Sequence, residues 1–420
     1  MRAKYLLGLA GLVPMLSCAA ELDGSLLAAS WSIPFAGLLL SIALMPLLIP
    51  SFWHHHFGKV ALGWALAYLV PCAVFFGVGM AAGGAVHAFT SEFFPFIILV
   101  TALFVVAGGI CVRGHLHGTP ALNTGLLALG TLLASLMGTT GASMLMIRPL
   151  IRANDNRKHA VHIVVFFIFL VANAGGSLTP LGDPPLFLGF LKGVDFFWTV
   201  RNIFPETLFL CASLLAIFYL LDRHYYRNRE DAMLPKPDAT PDSPITFEGK
   251  ANFLLLGAII GLVLMSGIWK PGVSVPVFGA HVELQNLVRD VLLLAVIALS
   301  LKMTPESARR GNEFSWGPIQ EVAKLFAAIF ITIIPVIAML RAGTSGVFAP
   351  VIHAVTDASG QPINMMYFWA SGLLSSFLDN APTYLVFFNT AGGDPHALMT
   401  TLGATLAAIS CGSVFMCANS

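Results

Sequence analysis

Charge is what this sequence has least of: 10% of its 420 residues are Asp, Glu, Lys or Arg, against 57% hydrophobic, with a mean hydropathy of +0.82. A water-soluble core and shell need far more surface charge, so an ordinary soluble enzyme is excluded. The 22 Lys and Arg nearly balance the 21 Asp and Glu, and a net charge of +1 offers no cationic footprint for phosphates. No nucleic-acid partner is expected. Cysteine is also scarce: Cys18, Cys72, Cys111, Cys211, Cys411 and Cys417 are scattered through apolar sequence without a C-x-x-C pair. That pattern suggests neither a disulfide framework nor a zinc site.

What is present instead is long uncharged runs. Residues 24–58, 60–91, 93–112, 114–147 and 159–182 each contain no Asp, Glu, Lys or Arg. Each is long enough to cross a bilayer, which takes about 20 residues. Residues 1–20 carry Arg2 and Lys4, a short apolar run interrupted by Pro14, and then small residues before Glu21. They read as a cleaved signal peptide rather than an uncleaved first helix, which leaves the mature N-terminus outside. Helices are expected near 31–52, 60–84, 93–112, 160–191, 203–221, 251–268, 286–301 and 325–340. With the first running from outside to inside, the inside loops hold fifteen Lys and Arg and the outside loops only Lys192, Arg201, Lys270 and Arg341. This bias is the one cytoplasmic loops show, and it predicts a multi-pass membrane protein with these basic loops in the cytoplasm.

Segment 121–147 is flanked by basic residues on both sides, Arg113 before it and Arg148, Arg152, Arg157 and Lys158 after it. A single crossing would put one cluster outside, so the pattern predicts a re-entrant hairpin turning at Gly138-Thr139-Thr140-Gly141. Segment 160–191 is too long for one helix and is broken by Asn173-Ala174-Gly175-Gly176-Ser177 and by Thr179-Pro180-Leu181-Gly182-Asp183-Pro184-Pro185. Residues 222–250, with Pro235, Pro237, Pro241 and Pro244, read as a cytoplasmic linker between a first membrane repeat, 24–221, and a second, 251–420.

The second half repeats the order of the first, ending in a segment broken at Leu378-Asp379-Asn380-Ala381-Pro382-Thr383 and then a Gly/Ser-containing segment. Laying the turns over each other pairs Thr140-Gly141-Ala142-Ser143 with Asn380-Ala381-Pro382-Thr383, and Gly175-Gly176-Ser177 with Cys411-Gly412-Ser413. An odd number of crossings per half makes the repeat inverted in topology. The fold class expected is therefore an all-α polytopic membrane protein of two inverted repeats, each with a re-entrant hairpin and an interrupted helix. Equal halves would require roughly forty further residues, so the second repeat is expected to be incomplete at its C-terminus.

The acidic residues most clearly inside membrane segments are Asp183 and Asp379, one on each unwound stretch. An ionised carboxylate near the bilayer centre costs about 2.5–3.5 kcal/mol on insertion scales, which makes each a functional candidate, with a capping role as the structural alternative. Such oxygens can hold a proton or a small cation. The Thr139, Thr140, Thr179 and Thr383 hydroxyls and the Asn173 and Asn380 amides would complete an oxygen shell, with Asp183, Asp379 and Asn380 as the sodium candidates. No cofactor is expected beyond Na+ and H+ as transported or coupling ions. Expected partners are the lipid bilayer, small inorganic cations or carboxylate anions, and, in a homodimer, a second copy of the chain. His54-His55-His56 beside Trp53 reads as an interfacial cluster, Glu321 and Lys324 as a surface pair, and Arg289-Asp290 as structural. Trp198, Trp269, Trp316 and Trp369, with Tyr225 and Tyr226, read as an aromatic belt.

With GTTGASMLMIRPL (138–150), NAGGSLTPLGDPP (173–185) and LDNAPTYLVFFN (378–389), the chain resembles the ion transporter superfamily. It is most similar to sodium/proton antiporters of the NhaD type and the related citrate-transporter family. The resemblance implies a secondary transporter of the bacterial cytoplasmic membrane, not an enzyme, working by alternating access. Dicarboxylate carriers of this superfamily typically have Thr where Asp183 stands, and Asp379-Asn380-Ala381-Pro382 resembles the antiporters' Asp-Asn-x-Pro. The first tip, Gly138-Thr139-Thr140-Gly141, departs from the second Asp-Asn those antiporters carry. Sodium/proton antiport is the leading expectation and a sodium- or proton-coupled citrate or dicarboxylate carrier the alternative. An intramembrane aspartyl protease, which also needs two embedded aspartates, is the outside reading.

Overall fold

A computed structural model of the chain describes residues 22–227 and 243–417. The signal-like segment lies outside the described residues. The chain folds as an all-α polytopic membrane protein, with eight helices long and apolar enough to cross a bilayer, or nine if one bent pair counts as a span. In chain order these and their companions are α1 (Ile33–Leu48), α2 (Pro50–Phe76), α3 (Val78–Ala107), α4 (Pro120–Met137), α5 (Thr139–Ala153), α6 (Val161–Leu178), α7 (Pro184–Leu191) and α8 (Trp198–Arg227). The second half contains α9 (Ala251–Ile268), α10 (Leu284–Met303), the bent pair α11 (Gly317–Thr332) and α12 (Ile334–Arg341), then α13 (Asn364–Phe377), α14 (Asn380–Thr390) and α15 (Gly403–Phe415).

The distribution of side chains is that of a protein solvated by hydrocarbon. Leu47, Phe75, Phe209, Leu254 and Ile268 lie three-quarters or more exposed, whereas Asn123, Asp222, Arg289, Ser300 and Ser371 are wholly buried. In water the first group would be costly and the second without reward; in a bilayer the reverse holds, because only protein can satisfy polar groups there.

Several boundaries differ from the sequence reading. The expected span 60–84 breaks at Gly77, whose φ of +93° ends α2. The end of the expected helix 93–112 is instead β1 (Cys111–His115), paired antiparallel with β2 (Ser243–Glu248). The segment read as a linker is thus helical as far as Arg227 and extended over Ser243–Glu248, and residues 228–242 lie outside the described residues. Long-range pairing created this ribbon, with an Arg113–Glu248 ion pair at 3.2 Å that no local pattern encodes. A second ribbon, β3 (Ser274–Val277) and β4 (Ala280–Glu283), turns at Phe278-Gly279, both at positive φ, the geometry a two-residue hairpin favours. Lys324 lies over the Phe57 ring at 5.1 Å rather than pairing with Glu321. Of the expected aromatic belt, Trp269, Trp316 and Trp369 are exposed, but Trp198 is buried and donates Nε1 to the Met399 carbonyl at 3.2 Å. His54 and His55 are exposed on the first turns of α2, and among the described residues no group of three His, Cys, Asp or Glu is disposed to hold a metal.

The α4–α5 hairpin is tied at its foot by a buried polar network. Asp222 of α8 accepts from Asn123 Nδ2 at 3.1 Å and from Arg157 Nη2 at 2.6 Å, and His162 Nε2 lies 2.8 Å from it. Asn123 and Asn154 exchange amide bonds at 2.9 and 2.8 Å, joining the start of α4 to the end of α5. The Asp222 and Arg157 side chains are 0% and 3% exposed, so neither charge can fall back on water. Removing one partner of such a pair leaves an uncompensated buried charge, at a cost of about 3–5 kcal/mol. Asp222→Ala is therefore expected to lower the thermal midpoint of the purified chain sharply, and an unchanged midpoint would show that the network does not hold the hairpin foot.

Candidate functional site

The site forms where two interrupted elements touch. The first arises because α6 cannot continue: it widens to a π-helix over Ile168–Asn173, tightens to 3-10 geometry over Ala174–Leu178, and then meets Pro180, Gly182, Pro184 and Pro185. Pro lacks the amide a helix needs and pushes its predecessor toward extended geometry, so residues 179–183 run unwound into α7. Two glycines make the turn tight. A Cβ at position 182 would lie 2.1 Å from the Gly176 carbonyl oxygen, and one at position 176 would lie 2.7 Å from Thr139 Cγ2 and 3.1 Å from Asp183 Cβ. Glycine at 176 thus lets Thr139 and Asp183 share one side of the turn.

The α4–α5 turn is locked onto this stretch by freed backbone groups. Gly138, at φ +82°, starts the turn, Thr139 N donates to the Gly182 carbonyl at 2.9 Å, and Ser135 Oγ donates to the Gly175 carbonyl. Thr179 Oγ1 donates to the Ser135 carbonyl and accepts from Leu181 N at 3.2 Å, so its hydroxyl is engaged in holding the turn.

The second element comes from α13 and α14, which break at Leu378-Asp379. Asp379 is the N-cap of α14, accepting from Ala381 N at 2.9 Å, and its carbonyl accepts from Thr383 Oγ1 at 2.9 Å. Asn380 then reaches across 197 residues of chain and donates Nδ2 to Asp183 Oδ2 at 2.7 Å. Asp183 and Asn380 are buried, and Asp379 is partly so. Unlike Asp379, Asp183 makes no side-chain bond to its own helix although it stands at the N-cap of α7. Its carboxylate is directed across the junction instead.

Helices α7 and α14 leave this junction packed against one another. Gly189 of α7 permits the contact, since a Cβ there would lie 2.4 Å from the Tyr384 hydroxyl. With α5 beginning at Thr139, three helix N-termini converge on the junction, each carrying about half a positive charge from its aligned peptides. Beside Asp183 is a cavity of about 50 Å³ whose lining is mostly apolar, with Phe96, Leu103, Phe104 and Phe187 among it, and whose polar side chains are Asp183, Thr139 and Thr140. Phe187 is backed by the wholly buried Arg289, whose guanidinium lies 5.8 Å from the ring and bonds Asp290 at 2.8 Å.

The expected site residues therefore separate. Asp183, Asp379 and Asn380 meet at the junction, and Thr139 and Thr140 line the adjoining cavity. Thr383 is buried, with its hydroxyl turned back into α14. Asn173 instead reaches the Cys417 carbonyl through Nδ2 at 3.0 Å, linking α6 to the end of α15, while its Oδ1 is buried without a partner among the described residues. Ser135 is a contributor that sequence reading passed over. Its spacing of three residues before the Gly138 break was the available signal, and Ser375 stands likewise before Leu378, donating to the Ser413 carbonyl at 2.7 Å.

Residues 24–420 match the family model described as "Putative citrate transport". The chain belongs to this family. Among curated proteins none matches it. Membership in the citrate transport family, together with the apolar helices, makes the chain a multi-pass membrane transporter, and the family match spans both interrupted elements. In this family member the α7–α14 contact carries a direct expectation. Gly189→Ala overpacks the helices and is expected to cost about 1–3 kcal/mol, read as a lower thermal midpoint, while adding Tyr384→Phe recovers part of the loss by removing the clashing oxygen. Equal stability of Gly189→Ala and the parent would contradict the contact.

Proposed function

We propose that the chain is a sodium/proton antiporter of the bacterial cytoplasmic membrane, in which Asp183 and Asp379 alternately hold a proton or a cation. The observation that carries this reading is the size and chemistry of the space at Asp183. The cavity of about 50 Å³ beside Asp183 admits water-sized species, and the polar side chains in its largely apolar lining, Asp183, Thr139 and Thr140, are oxygen donors of the kind a small hard cation takes.

Asn380 suits both states of the exchange. Its amide donates Nδ2 to an ionised Asp183, and after a flip its oxygen accepts from the protonated acid. Each proton bound thus removes a cation ligand without leaving the buried amide unpaired. The converging helix N-termini offset the charge of two neighbouring carboxylates when no cation is present. Alternating access follows if the two halves are inverted repeats. Supporting that symmetry, the register that pairs Thr140 with Asn380 also lays Ser135 over Ser375, and both serines bond a backbone carbonyl of the following Gly/Ser-containing helix.

A citrate or dicarboxylate carrier is the second reading, favoured by the family description and by helix N-termini that suit an anion. In it Thr139, Thr140, Asn380 and Thr383 would hold the anion while sodium screens the aspartates. The protease reading fits less well, because an aspartate dyad shares a proton between its carboxyl groups, whereas here Asp183 bonds an amide and Asp379 a backbone N–H.

Everted vesicles from an antiporter-deficient bacterium distinguish these readings. Sodium or lithium is expected to collapse an imposed ΔpH in vesicles carrying the parent chain, and Asp183→Asn or Asp379→Asn is expected to abolish the response at equal expression. Exchange left intact by both changes would overturn the antiporter assignment. Citrate uptake without any sodium-driven proton movement would select the carrier.

A further inference from the structure

A cavity far larger than the one at the junction lies elsewhere among the described residues. It measures about 710 Å³ and lies between α2, α3, α12 and the segment at residues 22–25, beyond the far ends of α7 and α14. Its apolar floor comes from the partly buried Met80, Ile334 and Ile337, and its polar groups are those of Asp23, His87, Glu92, Lys192 and Arg341. Apolar and polar groups share the lining about equally, and the volume falls in the range that organic-ligand sites occupy.

The rim's four formal charges cancel, so recognition must rest on which groups have hydrogen-bonding capacity to spare. Glu92 is committed to Lys192 in a half-buried ion pair. Asp23 folds onto Ser25, accepting from its hydroxyl at 2.6 Å and its amide at 3.0 Å, and these bonds hold its carboxyl below the ordinary range. Arg341 is different: it donates Nε to Asn389 Oδ1 at 3.0 Å, and among the described residues its two terminal nitrogens have no protein partner, which leaves a planar fork at the cavity. A guanidinium fork matches a carboxylate in a bidentate manner, and an apolar floor would be wasted on a fully hydrophilic anion such as citrate.

We propose that this cavity is a binding site for a small amphipathic organic anion, with its carboxylate on Arg341 and its hydrocarbon body against Met80, Ile334 and Ile337. The site does not depend on which ion the junction carries. It touches the transport elements all the same. Arg341 holds Asn389 at the end of α14, and Lys192 closes the end of α7, so both helices that start at the Asp183–Asn380 bond finish at this rim.

The test uses the full chain in lipid nanodiscs and 4-phenylbutyrate as the probe, with 4-phenylbutanol as its uncharged counterpart. The acid is expected to raise the thermal midpoint saturably and the alcohol not to. Arg341→Gln should weaken the acid's binding at least about tenfold, the loss expected of a charge-assisted pair. Gly84→Leu should abolish it by filling the cavity, because a Cβ there meets nothing nearer than Ile334 Cδ1 at 3.8 Å and the fold can accept the change. Asp183→Asn should leave binding intact, which separates this site from the junction. Equal stabilisation by the alcohol, or binding unchanged in both Arg341→Gln and Gly84→Leu, would overturn the proposal. So would loss in Asp183→Asn alone, which would place the anion at the junction.

Discussion

A single hydrogen bond, Asn380 Nδ2 to Asp183 Oδ2 at 2.7 Å, sets the terms for the rest of the molecule. It joins groups 197 residues apart at a place where water is scarce and an unpaired polar group is expensive. For the carboxylate to be there, α6 must stop being a helix, and Gly176, Pro180, Gly182 and Pro184 make it stop. For the amide to be there, the α13–α14 break must be capped, and Asp379 caps it through Ala381 N. The freed Gly175 and Gly182 carbonyls of the first break are then taken up by Ser135 and Thr139, and Thr179 on the break donates to the Ser135 carbonyl, so the turn and the unwound stretch satisfy one another.

Around that junction the protein is stiff in some places and open in others. The foot of the α4–α5 hairpin is fixed by Asp222, Arg157, Asn123 and Asn154, all buried and mutually bonded, which gives the cavity-lining threonines a fixed base. At the opposite ends of α7 and α14 the ties are fewer: the Lys192–Glu92 pair and the Arg341–Asn389 bond, both beside a large open cavity. A carrier needs this contrast, because one arrangement must be held while another is exchanged. Polar bonds at a wet rim are cheaper to exchange than a buried ionic network.

Much of the architecture was legible because the membrane simplifies the problem. Uncharged runs of bilayer length read as helices, and prolines and glycines inside them read as breaks; Asp183 and Asp379 stood out because a charge in such surroundings demands a reason. The Gly138 turn lies where its motif put it. What stayed hidden was everything made by distant chain segments meeting. Asp222 looked like the start of a hydrophilic linker, since nothing local reveals that Asn123 and Arg157 come to bury it. The β1–β2 ribbon pairs Ser243–Glu248 of that stretch with the distant Cys111–His115, and its strands are too short to show a pattern. Thr179 and Asn173 had the chemistry of ligands, yet the fold commits the first to the Ser135 carbonyl and half of the second to Cys417.

The central claim is that the Asp183–Asn380–Asp379 junction exchanges protons for a small cation. It is tested most directly without a membrane gradient, by adding sodium or lithium to the purified, weakly buffered chain and following pH with an indicator dye. The account predicts saturable proton release on cation addition from the parent chain and none from Asp183→Asn, with potassium at equal ionic strength as the reference. Cation binding without proton release, or release undiminished in Asp183→Asn, would contradict it.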